Sequence, residues 1–363
     1  MKQVVIIGGG IVGATIAYEL SQNSQLSITL IDREAPAQAS TGAALGLLMG
    51  IISQKNKGRD WQLREASMRR YPQLLAEITQ QTGDQIPQVQ GLLHLCFSQQ
   101  EKDQAEKLAA LRCSQGWNLE IWEVPQLQTH CPYIETANLT GAIYSPQDFQ
   151  VHPKALTNTL IKASQQNGAS CRWGVEATNV SANGNRNGRH CRILHTNQGD
   201  WETDYLIVAA GLGSFPLTRQ LQHPLTLSPV LGQAMRVRLD KNLKTSEFQP
   251  VVTGDDIHVI PLGNGEYWVG ATVEFPDEQG NVKAEKHLLD GVWEKAIAFC
   301  PPLAQGEIVE TWSGKRPRPE GQAAPVIEYL EGYDNVILAT GHYRNGVLLA
   351  PGTAEAVKQL MSH

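Results

Sequence analysis

Six residues near the N-terminus, Gly8-Gly9-Gly10-Ile11-Val12-Gly13, have the types and spacing of a G-x-G-x-x-G loop. Such a loop holds a pyrophosphate. Its first glycine permits a tight turn, Gly10 lets the backbone approach the phosphates, and Gly13 lets a helix pack closely on a strand. The helix that Ile11 and Val12 begin then presents unpaired N–H groups and a favourable dipole end to negative charge. Asp32 lies 19 residues beyond Gly13 and is followed by Arg33. A carboxylate at that point accepts hydrogen bonds from ribose hydroxyls and repels a 2′-phosphate. The pair of signals fits FAD and NAD equally, and the bland alternative is a glycine turn in a ligand-free α/β domain.

The loop needs a strand before it and a helix after it. Residues 4–7 are an unbroken β-branched run, as expected of a strand buried on both faces. Residues 11–20 read as a helix and 26–31 as a second buried strand, so the chain opens β-α-β. Helical patterns follow at 60–81, 101–111, 154–167 and about 353–361, with short strands and turns at 91–97 and 114–124. Buried strands are expected at 205–210 and 336–339. Residues 232–239 alternate like a strand, and Gly263-Asn264-Gly265 marks a hairpin between 258–261 and 267–272. Strands of one nucleotide-binding sheet are thus scattered over the chain, with antiparallel material between them. The expected fold is α/β (α+β overall). A discontinuous Rossmann-like dinucleotide-binding domain (1–85, 146–225 and 320–363) joins a mainly antiparallel β-sheet substrate domain (86–145 and 226–319).

Composition bounds the partners. The 363 residues carry a net charge of −6, which argues against nucleic acid as a partner. Six scattered cysteines form no C-x-x-C pair and no zinc spacing, so no metal is expected and the thiols read as reduced, in a cytoplasmic protein. The opening residues lack a signal peptide's architecture, and the apolar stretch at 43–52 is about half a membrane span, so membrane insertion is not expected.

Seven segments, in order along nearly the whole chain, resemble the D-amino-acid oxidase–glycine oxidase family of FAD-dependent oxidoreductases. They are VVIIGGGIVG with LIDRE, ASTGAALGLL at 39–48, AIYSPQDFQVHP at 142–153, LIVAAG at 206–211, PVLGQ at 229–233, VGAT at 269–272, and GHYRNGVLLAP at 341–351. The last, with WSGKRP at 312–317, looks like the glycine oxidase branch, whose members supply dehydroglycine for the thiazole ring of thiamine. The resemblance implies that the dinucleotide is FAD and that its flavin end is held by Ser40, Thr41, Ala43, Ala44, Gly46 and Leu47, by Val175, Ala210 and Gly211, and by His342, Asn345, Gly346, Val347 and Leu348. Small residues at 40–44 allow close backbone approach. Backbone N–H groups at 341–349 would face the flavin edge where charge collects on reduction.

Arg316 matches the family's carboxylate-binding arginine, and a guanidinium fork pairs bidentately with a carboxylate and keeps its charge when buried. Arg344 has two readings, a second hold on that carboxylate or a partner for carbonyls around the flavin loop. His258 stands where the glycine oxidase branch carries a tyrosine. It either lines the pocket or is an ordinary strand histidine. Related sarcosine oxidases attach flavin to a cysteine shortly after the arginine. Residues 317–325 hold no cysteine, which implies non-covalent FAD.

The resemblance implies oxidative deamination of glycine, sarcosine or a small D-amino acid by hydride transfer to flavin N5, with oxygen as acceptor, giving imine and hydrogen peroxide. It also implies a homo-oligomer. Alternatives are a D-amino-acid dehydrogenase of the same fold using quinone or another acceptor, a flavin-binding subunit without turnover, and an NAD-dependent dehydrogenase.

Overall fold

A computed structural model describes residues 1–185, 188–243 and 248–362. Among these residues, three sheets form. The first has six strands, in spatial order Val326–Tyr329, Val336–Thr340, Tyr205–Val208, Lys2–Ile7, Leu26–Asp32 and Ser170–Trp173. Every pair is parallel except Val326–Tyr329 with Val336–Thr340. Ile6, Leu30, Leu206 and Ile337 in these strands are fully buried. Cover on both faces is why the strands read as continuous apolar runs and not as alternating ones. Helix Ile11–Ser21 packs against helices Pro153–Gln166 and Gly346–Met361, and helix Gly58–Thr82 packs against the latter two.

The second sheet has Glu307–Pro319, Leu227–Arg238, Glu266–Gly270, Ile257–Gly263, Val251–Gly254, Gln88–Cys96, Gly141–Val151 and Leu47–Leu48 in a row. Glu120–Trp122 pairs with Gly141–Val151 beside it. All pairs are antiparallel except Val251–Gly254 with Gln88–Cys96. The architecture is therefore the expected α/β one, a discontinuous Rossmann-like sheet joined to a mainly antiparallel sheet. Strand Gly141–Val151 runs through the boundary expected between 145 and 146, and Leu47–Leu48, within the expected 1–85 piece, pairs with it. Residues 186–187, 244–247 and 363 of the expected ranges lie outside the described residues.

Three features depart from the sequence reading. Ala177–Asn185, Gly188–Thr196 and Gly199–Glu202 form a third, three-stranded sheet. Its polar, Asn- and Gly-containing strands gave little apolar alternation to read. The segment carrying Arg316 is a long strand, Glu307–Pro319, despite two prolines. It sits at the sheet's edge, where a missing donor is tolerated. The last helix starts at Gly346, not near 353, and carries Pro351 inside it. Pro351 has no N–H for the Val347 carbonyl four residues back. The buried Tyr71 hydroxyl donates to that carbonyl instead, and the next amide, Gly352 N–H, donates to Ser67 Oγ at 3.0 Å. Helix Gly58–Thr82 thus patches the proline site from outside.

Candidate active site

The glycine loop is built as its spacing requires. Gly8 has a positive φ of 118°, and a Cβ there would stand 2.5 Å from the Ala209 carbonyl oxygen. A Cβ on Gly13 would stand 1.9 Å from the Gly8 carbonyl oxygen. The Asp32 carboxylate accepts from the amides of Gly9 at 2.6 Å and Glu34 at 2.9 Å. Its first role is thus to fix the loop that it follows in space. Thr41 Oγ1 accepts from Ile11 N–H at 3.1 Å, which ties the small-residue segment to the start of the helix.

That segment is fastened to the arginine strand as well. Ser40 Oγ donates to the Lys315 carbonyl at 2.7 Å, and Trp312 Nε1 donates to the Ala43 carbonyl at 3.1 Å. The C-terminal segment meets the same strand, Tyr343 N–H donating to the Pro317 carbonyl at 3.0 Å. Directly after it, the N-terminus of helix Gly346–Met361 opens with no side-chain cap on Asn345. A helix end left in this state favours negative charge. His342 is buried, with Nε2 2.8 Å from Thr353 Oγ1. Burial, helped by Arg59, pushes its pKa down to about 3, so the ring is neutral.

Arg316 is partly buried. Its Nη1 donates to the carbonyls of Leu231 (3.0 Å) and Thr272 (3.2 Å), and its Nη2 donates to Thr272 (3.1 Å). Burial and then the Arg344 charge lower its pKa, while Tyr343 and Glu274 oppose them. His258 is buried against Thr253, Nδ1 to Oγ1 at 2.9 Å. Burial, followed by Arg344, His94 and Arg316, pushes its pKa down to about 3. Two guanidinium groups and a neutral imidazole therefore share one neighbourhood. Such a concentration of positive charge is suited to an anion.

One cavity of about 2040 Å³ joins these parts. It is lined by Gly8, Gly10, Ile11, Val12, Asp32 and Arg33, by Ser40, Thr41, Ala43, Ala44, Gly46 and Leu47, and by Val175, Ala210 and Gly211. It continues to Arg316, His258, His342, Arg344, Gly346 and Val347. Gly13, Asn345 and Leu348 do not line it. Gly13 is instead spent on helix–strand packing. The bare glycine loop, the carboxylate beside it and the open helix end fit a dinucleotide. Sequence reasoning missed Gly232, Thr272, Trp268 and Tyr144, which belong to the cavity wall or to the seat of Arg316. Gly232, Thr272 and Tyr144 lie within segments that carry the family resemblance but have nothing in type or spacing to single them out, and Trp268 is an ordinary strand aromatic in sequence.

Among the described residues, no group of three or more His, Cys, Asp or Glu is arranged to hold a metal, and no helix is long and apolar enough to cross a membrane. Ser181, His195 and Asp200 form a hydrogen-bonded chain of 2.7 Å contacts on the three-stranded sheet. Asp200 and His195 are cross-strand partners, and none of the three lines the cavity.

A glycine-loop sheet joined to an antiparallel sheet, with a cationic pocket on the cavity they share, is the frame of a dinucleotide-binding protein with an anion pocket. The chain belongs to the DAO family of FAD dependent oxidoreductases, whose model matches residues 3–360. FAD is thus its cofactor. The chain is 31% identical to the bifunctional protein ThiO/ThiG of Synechocystis sp., over 99% of its own length and 51% of that protein's, so it spans about half of that relative. It is 28% identical to the glycine oxidase of Bacillus licheniformis over 98% of this chain and 92% of that one. The crystal structure of glycine oxidase from Geobacillus kaustophilus matches with a TM-score of 0.85 at 25% identity, covering 100% and 95% of the two chains.

Proposed function

We propose that the protein oxidises glycine or another small amino acid, such as sarcosine or a D-amino acid, to its imine with oxygen as the electron acceptor. The observation that carries this is the cationic end of the cavity, where Arg316 and Arg344 face a neutral His258. The names of relatives similar over the whole chain, glycine oxidase among them, support it.

Bound FAD supplies the hydride acceptor. The chain's own work is to bind and orient. Arg316 holds the carboxylate, and Arg344 adds a second positive charge to the same end of the cavity. With its carboxylate anchored, the amino acid is held in place for reaction, and such positioning supplies most of the rate gain in a reaction of this kind. His258 stays neutral at working pH and adds no competing charge. The substrate ammonium loses its proton to water, so no side-chain base is needed. The open N-terminus of helix Gly346–Met361 stabilises negative charge placed before it.

The FAD is held non-covalently, so acid precipitation should leave it in the supernatant. The FAD-binding unit comprises 1–85, 146–225 and 320–363, and the substrate unit 86–145 and 226–319. The protein works in the cytoplasm as a homo-oligomer, and the imine it forms from glycine either serves thiazole formation or is hydrolysed to glyoxylate. Aerobic turnover of glycine, sarcosine, D-alanine and D-proline tests the reading. Stoichiometric hydrogen peroxide supports it, together with ammonia from glycine or D-alanine, methylamine from sarcosine, or a cyclic imine from D-proline. Turnover only with an added quinone replaces oxidase with dehydrogenase.

A further inference from the structure

Arg316 has five N–H donors, and three are already committed. Nη1 uses both of its hydrogens, on the Leu231 and Thr272 carbonyls, and Nη2 uses one on Thr272. The end-on edge between Nη1 and Nη2 is thus closed by the Thr272 carbonyl. What remains is Nε–H and one Nη2–H, which lie side by side on one edge of the plane. That edge is the right width for the two oxygens of a single carboxylate.

The guanidinium reaches this position because of Gly232. A Cβ on Gly232 would lie 2.2 Å from Nη2 and 2.4 Å from both Cζ and Nη1. The planar head therefore rests directly on the bare backbone of strand Leu227–Arg238. Glycine in a strand interior weakens it and often marks a close approach. The carbonyls that clamp the head are themselves fixed. Leu231 and Glu274 exchange backbone hydrogen bonds at 2.9 Å, and Thr272 N–H donates to the Gln233 carbonyl at 3.1 Å. The buried Glu274 carboxylate accepts from the Gln233 side chain at 2.9 Å and from the Thr272 hydroxyl.

We propose that Gly232 is a positioning residue for Arg316, its missing side chain letting the guanidinium lie flat on the strand with only its Nε–Nη2 edge open, so that the site takes its substrate as a carboxylate bound side-on. This rests on the reading of Arg316 as the carboxylate anchor. A Cβ at 232 lifts or rotates the head and breaks the two-point match, while Gly232 itself touches no substrate.

The test is a double-mutant cycle on the FAD-loaded protein, with acetate as probe and the flavin absorbance change as readout. Four proteins are titrated: wild type, Gly232→Ala, Arg316→Ala and the double variant. Acetate binding should weaken roughly 10- to 100-fold in Gly232→Ala, the scale of a lost charged hydrogen-bond pair. In the Arg316→Ala background the same change should cost less than about 2-fold, because contacting residues acting through one interaction are not additive. If Gly232→Ala binds acetate like wild type, or if the two losses multiply, the positioning role is overturned. If Gly232→Ala alone fails to accumulate with flavin, the double variant should accumulate, since removing the guanidinium removes the clash. Its failure would also overturn the proposal. A wild type that binds acetate normally while Arg316→Ala binds it equally well removes the anchor reading itself, a result distinct from the Gly232 outcomes.

Discussion

The Tyr71 hydroxyl donates to the Val347 carbonyl, the acceptor that Pro351 leaves without an amide partner in the last helix. Tyr71 is fully buried, and burial pushes its pKa far above the ordinary phenol value, so it acts as a donor at all working pH values. The bond couples helix Gly58–Thr82 to the helix whose N-terminus opens on the cavity. Tyr71→Phe strands a buried carbonyl. Stability should fall by about 1–3 kcal/mol, and FAD affinity should drop with it. Thermal unfolding with and without added FAD measures both. A variant as stable as wild type would mean that water or a shifted helix satisfies Val347.

Gly13→Ala should abolish FAD loading. The new methyl group would meet the Gly8 carbonyl at 1.9 Å, and the helix would have to leave the strand. The protein should purify colourless and less stable. Asp32→Asn should load weakly, since it loses the carboxylate that holds the Gly9 and Glu34 amides. Equilibrium dialysis against FAD ranks the three proteins.

Arg316→Lys keeps a positive charge but loses the planar fork. The substrate KM should rise roughly 10- to 100-fold, the scale of a hydrogen-bonded charge pair. The flavin spectrum of the resting protein should not change. Steady-state kinetics beside an absorbance spectrum separates a lost anchor from a disturbed cofactor site.

His258 contributes to acid sensitivity. Its folded pKa of about 3 lies below the ordinary 6.5, so between these values the unfolded chain binds a proton that the folded chain refuses. Its contribution to stability is complete above pH 6.5 and is lost as pH falls toward 3. Across that window, His258→Asn should remove up to roughly 1.4 kcal/mol per pH unit from the slope of stability against pH. Denaturant titrations at several pH values give the two slopes. The same substitution should leave the pKa values of the kcat/KM profile unmoved, because a ring that stays neutral across the working pH range adds no titration of its own to that profile.

The opening β-α-β unit was legible because its signals are contiguous. An apolar β-branched run, three spaced glycines and Asp32 all lie within residues 4–32. The start of the last helix was not legible. Pro351 reads as a stop, and the hydroxyl that compensates for it comes from Tyr71, far away in sequence. The edge position that lets Pro317 and Pro319 sit in a strand is likewise a property of the whole sheet. Arg316 stood out by its type and by its motif. Its seat did not, because Gly232 looks like an ordinary strand glycine until a guanidinium 84 residues later is laid on it. The pocket's charge balance belongs to the same class. His258 is brought near Arg316 by the strand order of one sheet, and Arg344 by the segment that follows a strand of the other, which no local pattern encodes.

The most direct test of the central claim is anaerobic mixing of the FAD-loaded protein with glycine, sarcosine, D-alanine and D-proline, followed by flavin absorbance. At least one of these should bleach the flavin rapidly in wild type and far more slowly in Arg316→Ala. A flavin that dithionite reduces but none of the four amino acids touches would contradict the account.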